Sequence, residues 1–358
     1  MRNKKIIIAG YDLSGFGGME TVCDSFVRLL RRSHPHLTVN FVFFKEGNTQ
    51  VDDTWLAQHN FTRLYSSVHN TKIRRLCFAW SFARVLRYEK ADIVLCLDSL
   101  SCFIAHNARK FIFRKFPVYS WVHFSTHNMY KAKYICKADA HLSISTMISQ
   151  QLRDMGISSE KIFTVHNPVR SVDRTIPRPT KVTRFLYVGR IIADEQKNMR
   201  GLFQALSQIK GCWKLEIIGA GEDMALLQAL AESLNISDRI TWHGWQKQPW
   251  LYIQEEIKYI TCLLLTSHYE GFGMVLAEAS ANGVYAISSD CKTGPADIIQ
   301  QNINGNLYPA GQPEQLVKLL QEIVNGKLLP DHFTIKAAIA DFYEDKYIAK
   351  MLKALELN

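Results

Sequence analysis

No apolar run in this 358-residue chain approaches the roughly 18 uncharged residues needed to cross a bilayer, since IIIAG, VLCLDS and TCLLLT are all short. A membrane-spanning chain is therefore not expected. The start, MRNKKIIIAG, is basic, but four apolar residues before Gly10 fall short of the seven or so that an export signal requires. Zinc and disulfide patterns are also missing: Cys23, Cys77, Cys96, Cys102, Cys136, Cys212, Cys262 and Cys291 form no CxxC pair. Cys96 and Cys262 sit inside apolar runs, which points to reduced, buried thiols in a cytoplasmic protein. There is no low-complexity tract and no short repeat. With 47% hydrophobic and 21% charged residues, disordered, collagenous and coiled-coil classes are excluded. The length suits two domains of ordinary size.

Acidic residues are scarce in the first half only. Residues 1–166 hold 23 Lys and Arg against 12 Asp and Glu, a net +11, whereas the remainder holds 20 against 21, a net −1. Such asymmetry marks a surface that meets something anionic. A nucleic-acid-binding protein is one alternative, but no RRM, KH or zinc-finger signature is present, so no nucleic-acid partner is expected.

Strands and helices alternate along the chain, which implies parallel sheets covered on both faces. KKIIIAGY, LTVNFVFF, ADIVLCLD, FPVYSWVHF and AHLSIS read as strands of a first domain, with helices following SGFGG, near 72–89 and near 145–155. A second alternation runs through RFLYVGR, WKLEIIGAG, RITWHGW, YITCLLLTS and VYAISSD. The expectation is an α/β protein of two doubly wound, Rossmann-like domains facing a central cleft. Its bounds are read as 1–170, a proline-bearing linker over 171–182, 183–335, and a C-terminal helix over 336–358 packing back toward the first domain.

In open parallel sheets, ligands bind beyond the carboxyl ends of strands, so loops leading into helices carry the informative residues. SGFGGME places Gly15, Gly17 and Gly18 ahead of a helix, where bare backbone suits a phosphate. GAGEDM has Met224 where a dinucleotide fingerprint needs glycine, which disfavours an NAD enzyme. VGRIIADEQKN offers Arg190 and Lys197, two cations able to neutralise a departing diphosphate. In EGFGMVLAE, Glu270 and Glu278 are separated by seven residues, with Gly271, Phe272, Gly273 and Met274 leading into a helix. The spacing sets Glu278 about one turn inside the helix, where its carboxylate suits two ribose hydroxyls. His123 and His127 form an HxxxH pair on a strand-like segment, and no Asp-x-Asp is present, so no metal and no other cofactor is expected.

SGFGGME, ADAHLSIS, VHNPV, FLYVGR with Lys197, LEIIGAGED, ITWHGW, EGFGMVLAE and NGNLYP, in that order, resemble the retaining nucleotide-sugar glycosyltransferases of the GT-B fold, family 4. The resemblance implies an acceptor-side first domain and a nucleotide-sugar-binding second domain. It assigns Gly17, Gly18 and the 271–274 backbone to the donor phosphates, Arg190 and Lys197 to the diphosphate, Glu270 to the hexose and Glu278 to the ribose. Trp245 matches the position flanking the nucleobase, where an indole can stack on uracil, and His123 matches a histidine contacting the donor sugar. Within the family the sequence is most similar to members that build the lipopolysaccharide core. That implies transfer of a hexose, galactose, from UDP-galactose to a hydroxyl of the core with retention and without a metal. A UDP-sugar epimerase on the same fold is the enzymatic alternative. KTGPADII departs from the family pattern, which leaves the donor sugar open.

Two segments interleave cations with aromatics. KIRRLCFAWSFARVLRYEK, residues 72–90, carries Arg74, Arg75, Arg84 and Arg87, and RKFIFRKF carries Arg109, Lys110, Arg114 and Lys115. Such surfaces suit an anionic leaflet, so peripheral attachment to the cytoplasmic face of the inner membrane is expected.

Overall fold

The computed structural model describes residues 4–13, 18–47, 51–112 and 115–357. The chain divides into two units, residues 1–168 with 347–358, and residues 169–346. The first unit holds β1 (Lys5–Tyr11), α1 (Gly18–Ser33), β2 (Thr38–Glu46), β3 (Asn60–Ser66), α2 (Thr71–Glu89), β4 (Ile93–Cys96), α3 (Ser99–Ile112), β5 (Val118–Val122), β6 (Ala140–Ser143), α4 (Thr146–Asp154) and β7 (Ile162–Thr164). The second holds β8 (Thr183–Val188), α5 (Met199–Gln208), β9 (Trp213–Ile218), α6 (Met224–Ser233), β10 (Ile240–Trp242), α7 (Pro249–Tyr252), β11 (Cys262–Leu265), α8 (Met274–Ala281), β12 (Tyr285–Asp290), α9 (Pro295–Ile298), β13 (Gly305–Pro309), α10 (Pro313–Val324) and α11 (His332–Ala337). α12 (Glu344–Ala354) begins in the second unit and ends in the first.

Each unit is built on one parallel sheet, ordered β3-β2-β1-β4-β5-β6-β7 and β10-β9-β8-β11-β12-β13. The central strands are apolar on both faces because helices cover both: IVLC of β4 and CLLL of β11 are buried throughout. The strand order reverses between β1 and β4 and between β8 and β11. In open α/β sheets such a reversal is where loops diverge and ligands bind, beyond the carboxyl ends of the strands.

The segment expected as a linker, 171–182, is instead a packed strap of the second unit. Ile176 is buried and its N–H donates to the Asn282 carbonyl at 3.0 Å. Arg178 donates to the carbonyls of Leu329 and Pro330, and Lys336 donates to that of Val172. Residues 336–346 also belong to the second unit, so the returning segment is shorter than the sequence implied. The sequence reading passes over β3, α3, β7 and β13. β3 is an edge strand whose Phe61 and Tyr65 are exposed, so it lacks the apolar run that marks its neighbours.

Candidate active site

In the second unit the switch point brings together the loops after β8 and β11, and with them two charges 73 residues apart. Lys197 Nζ lies 2.6 Å from Glu270 Oε1, with both side chains almost buried. Ser267 Oγ donates to the same carboxylate oxygen at 2.7 Å, and the Thr266 hydroxyl ties down the carbonyls of Lys197 and Asn198 at 3.1 Å each. An ammonium has three donors, so one directed at Glu270 leaves two for an anionic ligand, while Glu270 Oε2 keeps its acceptor capacity.

Arg190 is exposed and is steered by Gln196, whose Oε1 accepts from its guanidinium and whose Nε2 donates to the Tyr269 carbonyl at 3.3 Å. Tyr187 fixes the turn by donating to the Arg190 carbonyl at 2.6 Å. The glycines of LEIIGAG serve this turn through backbone contact. A Cβ on Gly219 would lie 1.8 Å from the Gly189 carbonyl oxygen, and one on Gly221 2.0 Å from that of Ile191. Close packing of two loops explains the residues that mimic a dinucleotide fingerprint.

The loop after β11 enters α8 through Gly273, which adopts the left-handed region at φ 89°. Phe272 is buried, packing edge-on against Phe342 at 5.5 Å, so its side chain is a structural anchor and Gly271, Gly273 and Met274 supply the backbone turn. KTGPADII supports this loop from behind: the Thr293 hydroxyl donates to the Glu270 carbonyl, and Gly294 at φ 91° abuts the Phe272 backbone. Glu278 sits in the second turn of α8 and accepts from the Trp250 indole N–H at 2.8 Å. Burial raises its pKa and the indole opposes that rise. Trp250 was not singled out in the sequence, because its partner lies 28 residues away.

Trp245 follows Gly244, which is left-handed at φ 68°, and is 60% exposed. The turn is held from below by His243, whose Nε2 lies 2.7 Å from buried Glu216 and whose Nδ1 meets the Tyr252 hydroxyl at 3.0 Å.

In the first unit, Gly18 opens α1, and no described atom comes within 4 Å of where its Cβ would project. Gly15 and Gly17 lie outside the described residues. At the carboxyl edge, Asp98 after β4 accepts from the Tyr11 N–H at 2.9 Å and the Ser101 N–H at 2.7 Å, closing the switch point of this sheet. His123, after β5, is buried against the Trp121 ring at 4.8 Å, and burial pulls its pKa down to about 3. Its imidazole is therefore neutral at physiological pH, and its Nε2 has no partner among the described residues.

The basic segment is placed elsewhere. Arg109 and Lys110 end α3, and Lys115 precedes β5, so they sit at the amino edge of the sheet, opposite the loops just described. They border a cavity of about 710 Å³ with His106, Phe116 and Asp139. Arg109 pairs with Asp139 at 2.6 Å, and Arg114 lies outside the described residues. The arginines of α2 also divide. Arg74 pairs with Glu46 at 2.5 Å and Arg75 is buried over Tyr130, whereas Arg84 and Arg87 face outward with Ile73, Leu76 and Trp80. Phe78, Phe82 and Leu86 are core. No helix among the described residues is long and apolar enough to cross a membrane.

Two parallel α/β units, the second with a lysine–glutamate pair at its switch point, match the build of GT-B glycosyltransferases, and known proteins place the chain among them. Residues 16–171 match the family described as Glycosyltransferase Family 4, and residues 170–340 match Glycosyl transferases group 1. The chain is 40% identical to the lipopolysaccharide 1,6-galactosyltransferase of Escherichia coli (strain K12) and 38% identical to that of Salmonella typhimurium (strain LT2), covering 98% of each chain. A solved structure, the lipopolysaccharide outer core galactosyltransferase WaaB in its apo form, superposes with a TM-score of 0.93 at 38% identity over 98% of this chain and 99% of that one. The chain belongs to this glycosyltransferase family and is a glycosyltransferase with the GT-B fold.

Proposed function

We propose that the enzyme moves galactose from UDP-galactose to a hydroxyl of the lipopolysaccharide core, with retention at the anomeric carbon and without a metal. The observation that carries this is the Lys197–Glu270 pair at the switch point, supported by full-length relatives bearing that activity in their names. Lys197 and Arg190 take the negative charge that grows on UDP as the glycosidic bond breaks, the task a divalent ion performs elsewhere. Glu270 Oε2 accepts hexose hydroxyls, Glu278 accepts from the ribose, Trp245 stacks on uracil, and the Gly271–Met274 backbone meets the phosphates. Gly18 leaves room for phosphate at the start of α1. His123 offers a neutral imidazole suited to a sugar hydroxyl. Retention is assigned to front-face displacement, in which the departing diphosphate itself takes the acceptor proton.

Peripheral attachment to the anionic cytoplasmic leaflet of the inner membrane completes the reading, through Lys110, Lys115, Arg84 and Arg87. Product analysis with a panel of UDP-sugars and a truncated lipopolysaccharide acceptor tests the whole. Galactose transfer that survives EDTA and gives an α-linked product is expected. Transfer from another donor, an inverted linkage, or loss on chelation restored by manganese would overturn the respective part. Sugar isomerisation without acceptor would restore the epimerase.

A further inference from the structure

The segment from Pro249 to Ile257 lies along α8 as a polar zipper. Trp250 donates to Glu278 Oε2 at 2.8 Å, and four residues on, Gln254 Nε2 donates to Asn282 Oδ1 at 2.8 Å, itself four residues after Glu278. Helical spacing on both sides keeps the two rungs in register. On its other face the segment is anchored by the Tyr252 hydroxyl against His243 at 3.0 Å, so one short element touches both the carboxylate of α8 and the turn bearing Trp245. It continues past Tyr252 as a π-helical turn, Ile253–Ile257, a distortion that regular helix would not adopt without reason.

We infer that Trp250 is the positioning residue that aims Glu278 at the ribose, and that through it the enzyme distinguishes ribonucleotide from deoxyribonucleotide donors. The inference rests on the reading of Glu278 given above. A carboxylate on a flexible side chain can turn either oxygen toward a ligand. The indole N–H holds Oε2, which fixes the plane of the group and leaves Oε1 as the acceptor for the ribose hydroxyls. It also favours the ionised form against the burial that disfavours it, and only that form accepts at both oxygens. The Nε1 atoms of Trp121 and Trp213 are buried with no partner among the described residues, yet that of Trp250 is directed at a carboxylate.

Titration calorimetry of the full chain with UDP and with 2′-deoxy-UDP tests this. Trp250→Phe keeps a ring and removes the donor. It should weaken UDP about tenfold, the scale of one hydrogen bond to a charged group. It should weaken 2′-deoxy-UDP far less, so that the ratio of the two affinities collapses toward that of Glu278→Gln. Gln254→Ala, which breaks the neighbouring rung alone, should keep the wild-type ratio. Equal weakening of both nucleotides by Trp250→Phe, or wild-type binding of both, overturns the positioning role. A wild-type ratio in Glu278→Gln overturns the ribose assignment itself, and the inference falls with it.

Discussion

At the scale of single residues, Lys197 and Arg190 are expected to behave differently although both are proposed to meet the diphosphate. If Lys197 serves the departing UDP as proposed, Lys197→Ala should lower kcat roughly 100-fold, with a smaller rise in the donor KM. It also strands a nearly buried carboxylate at Glu270, so thermal stability should drop as well. Arg190 is exposed and held by Gln196, so Arg190→Ala should lose kcat with the melting temperature unchanged. Steady-state kinetics beside thermal melts separates the two; wild-type kcat in both variants would remove them from the site. Glu278 adds a pH dependence. Its folded-state pKa is raised by burial, so protonation begins above the usual glutamate range, and the protonated acid no longer accepts at both oxygens. UDP affinity should therefore fall as pH falls through that raised value, and the acid limb should vanish in Glu278→Gln, as calorimetry across pH 4 to 8 would reveal.

At the scale of elements, the turn before α9 is the part of the donor loop that the sequence left most open. KTGPADII departs from the family pattern, yet it braces that loop. A Cβ on Gly294 would lie 2.2 Å from the Phe272 carbonyl oxygen, at a φ of 91° that side chains rarely adopt. Gly326 shares the left-handed φ, at 90°, but nothing lies within 4 Å of its Cβ position. Gly326→Ala should cost about 1 kcal/mol from backbone strain alone, whereas Gly294→Ala adds a steric clash and should cost roughly twice that or more. Thermal melts should rank Gly294→Ala well below Gly326→Ala, and only the former should reduce UDP affinity. Equal melting temperatures would show that the loop yields. The contrast also shows what a sequence can carry. IIIAG, IVLC and CLLL are legible because strands buried on both faces must be apolar throughout. NFTRLYS of β3 is not, because an edge strand facing solvent needs no such run. Glu270 and Lys197 were named from spacing and family resemblance, but their contact depends on β8 and β11 being neighbours, which no local pattern states. Trp250 was missed for the same reason: its meaning lies in a partner on another helix.

At the scale of the whole molecule, charge is partitioned by unit. The first unit carries 25 Lys and Arg against 13 Asp and Glu, a net +12, and the second carries 18 against 20, a net −2. The sequence located the excess but not its direction. α2 and α3 both run from the carboxyl to the amino edge of the first sheet and pack on each other, so their last turns end at the same edge. Arg84, Arg87, Lys110 and Lys115 lie toward that edge, as do exposed Phe111 and Tyr88, and Arg84 stacks over Trp80 at 5.0 Å. Cations among exposed aromatics suit a headgroup layer, each cation contributing on the order of 1 kcal/mol near an anionic surface. Arg109 is a poor reporter of this, because its pairing with Asp139 and its bond to the Phe116 carbonyl hold the start of β5. The variant that tests attachment is therefore Arg84, Arg87, Lys110 and Lys115 changed together to Gln. Co-sedimentation with vesicles rich in anionic lipid should weaken at least tenfold in that variant and fall steadily as salt rises, while transfer to a detergent-dispersed acceptor stays at the wild-type rate. Equal binding of the wild type to neutral vesicles, or salt-independent binding, would assign the basic surface to something other than the leaflet.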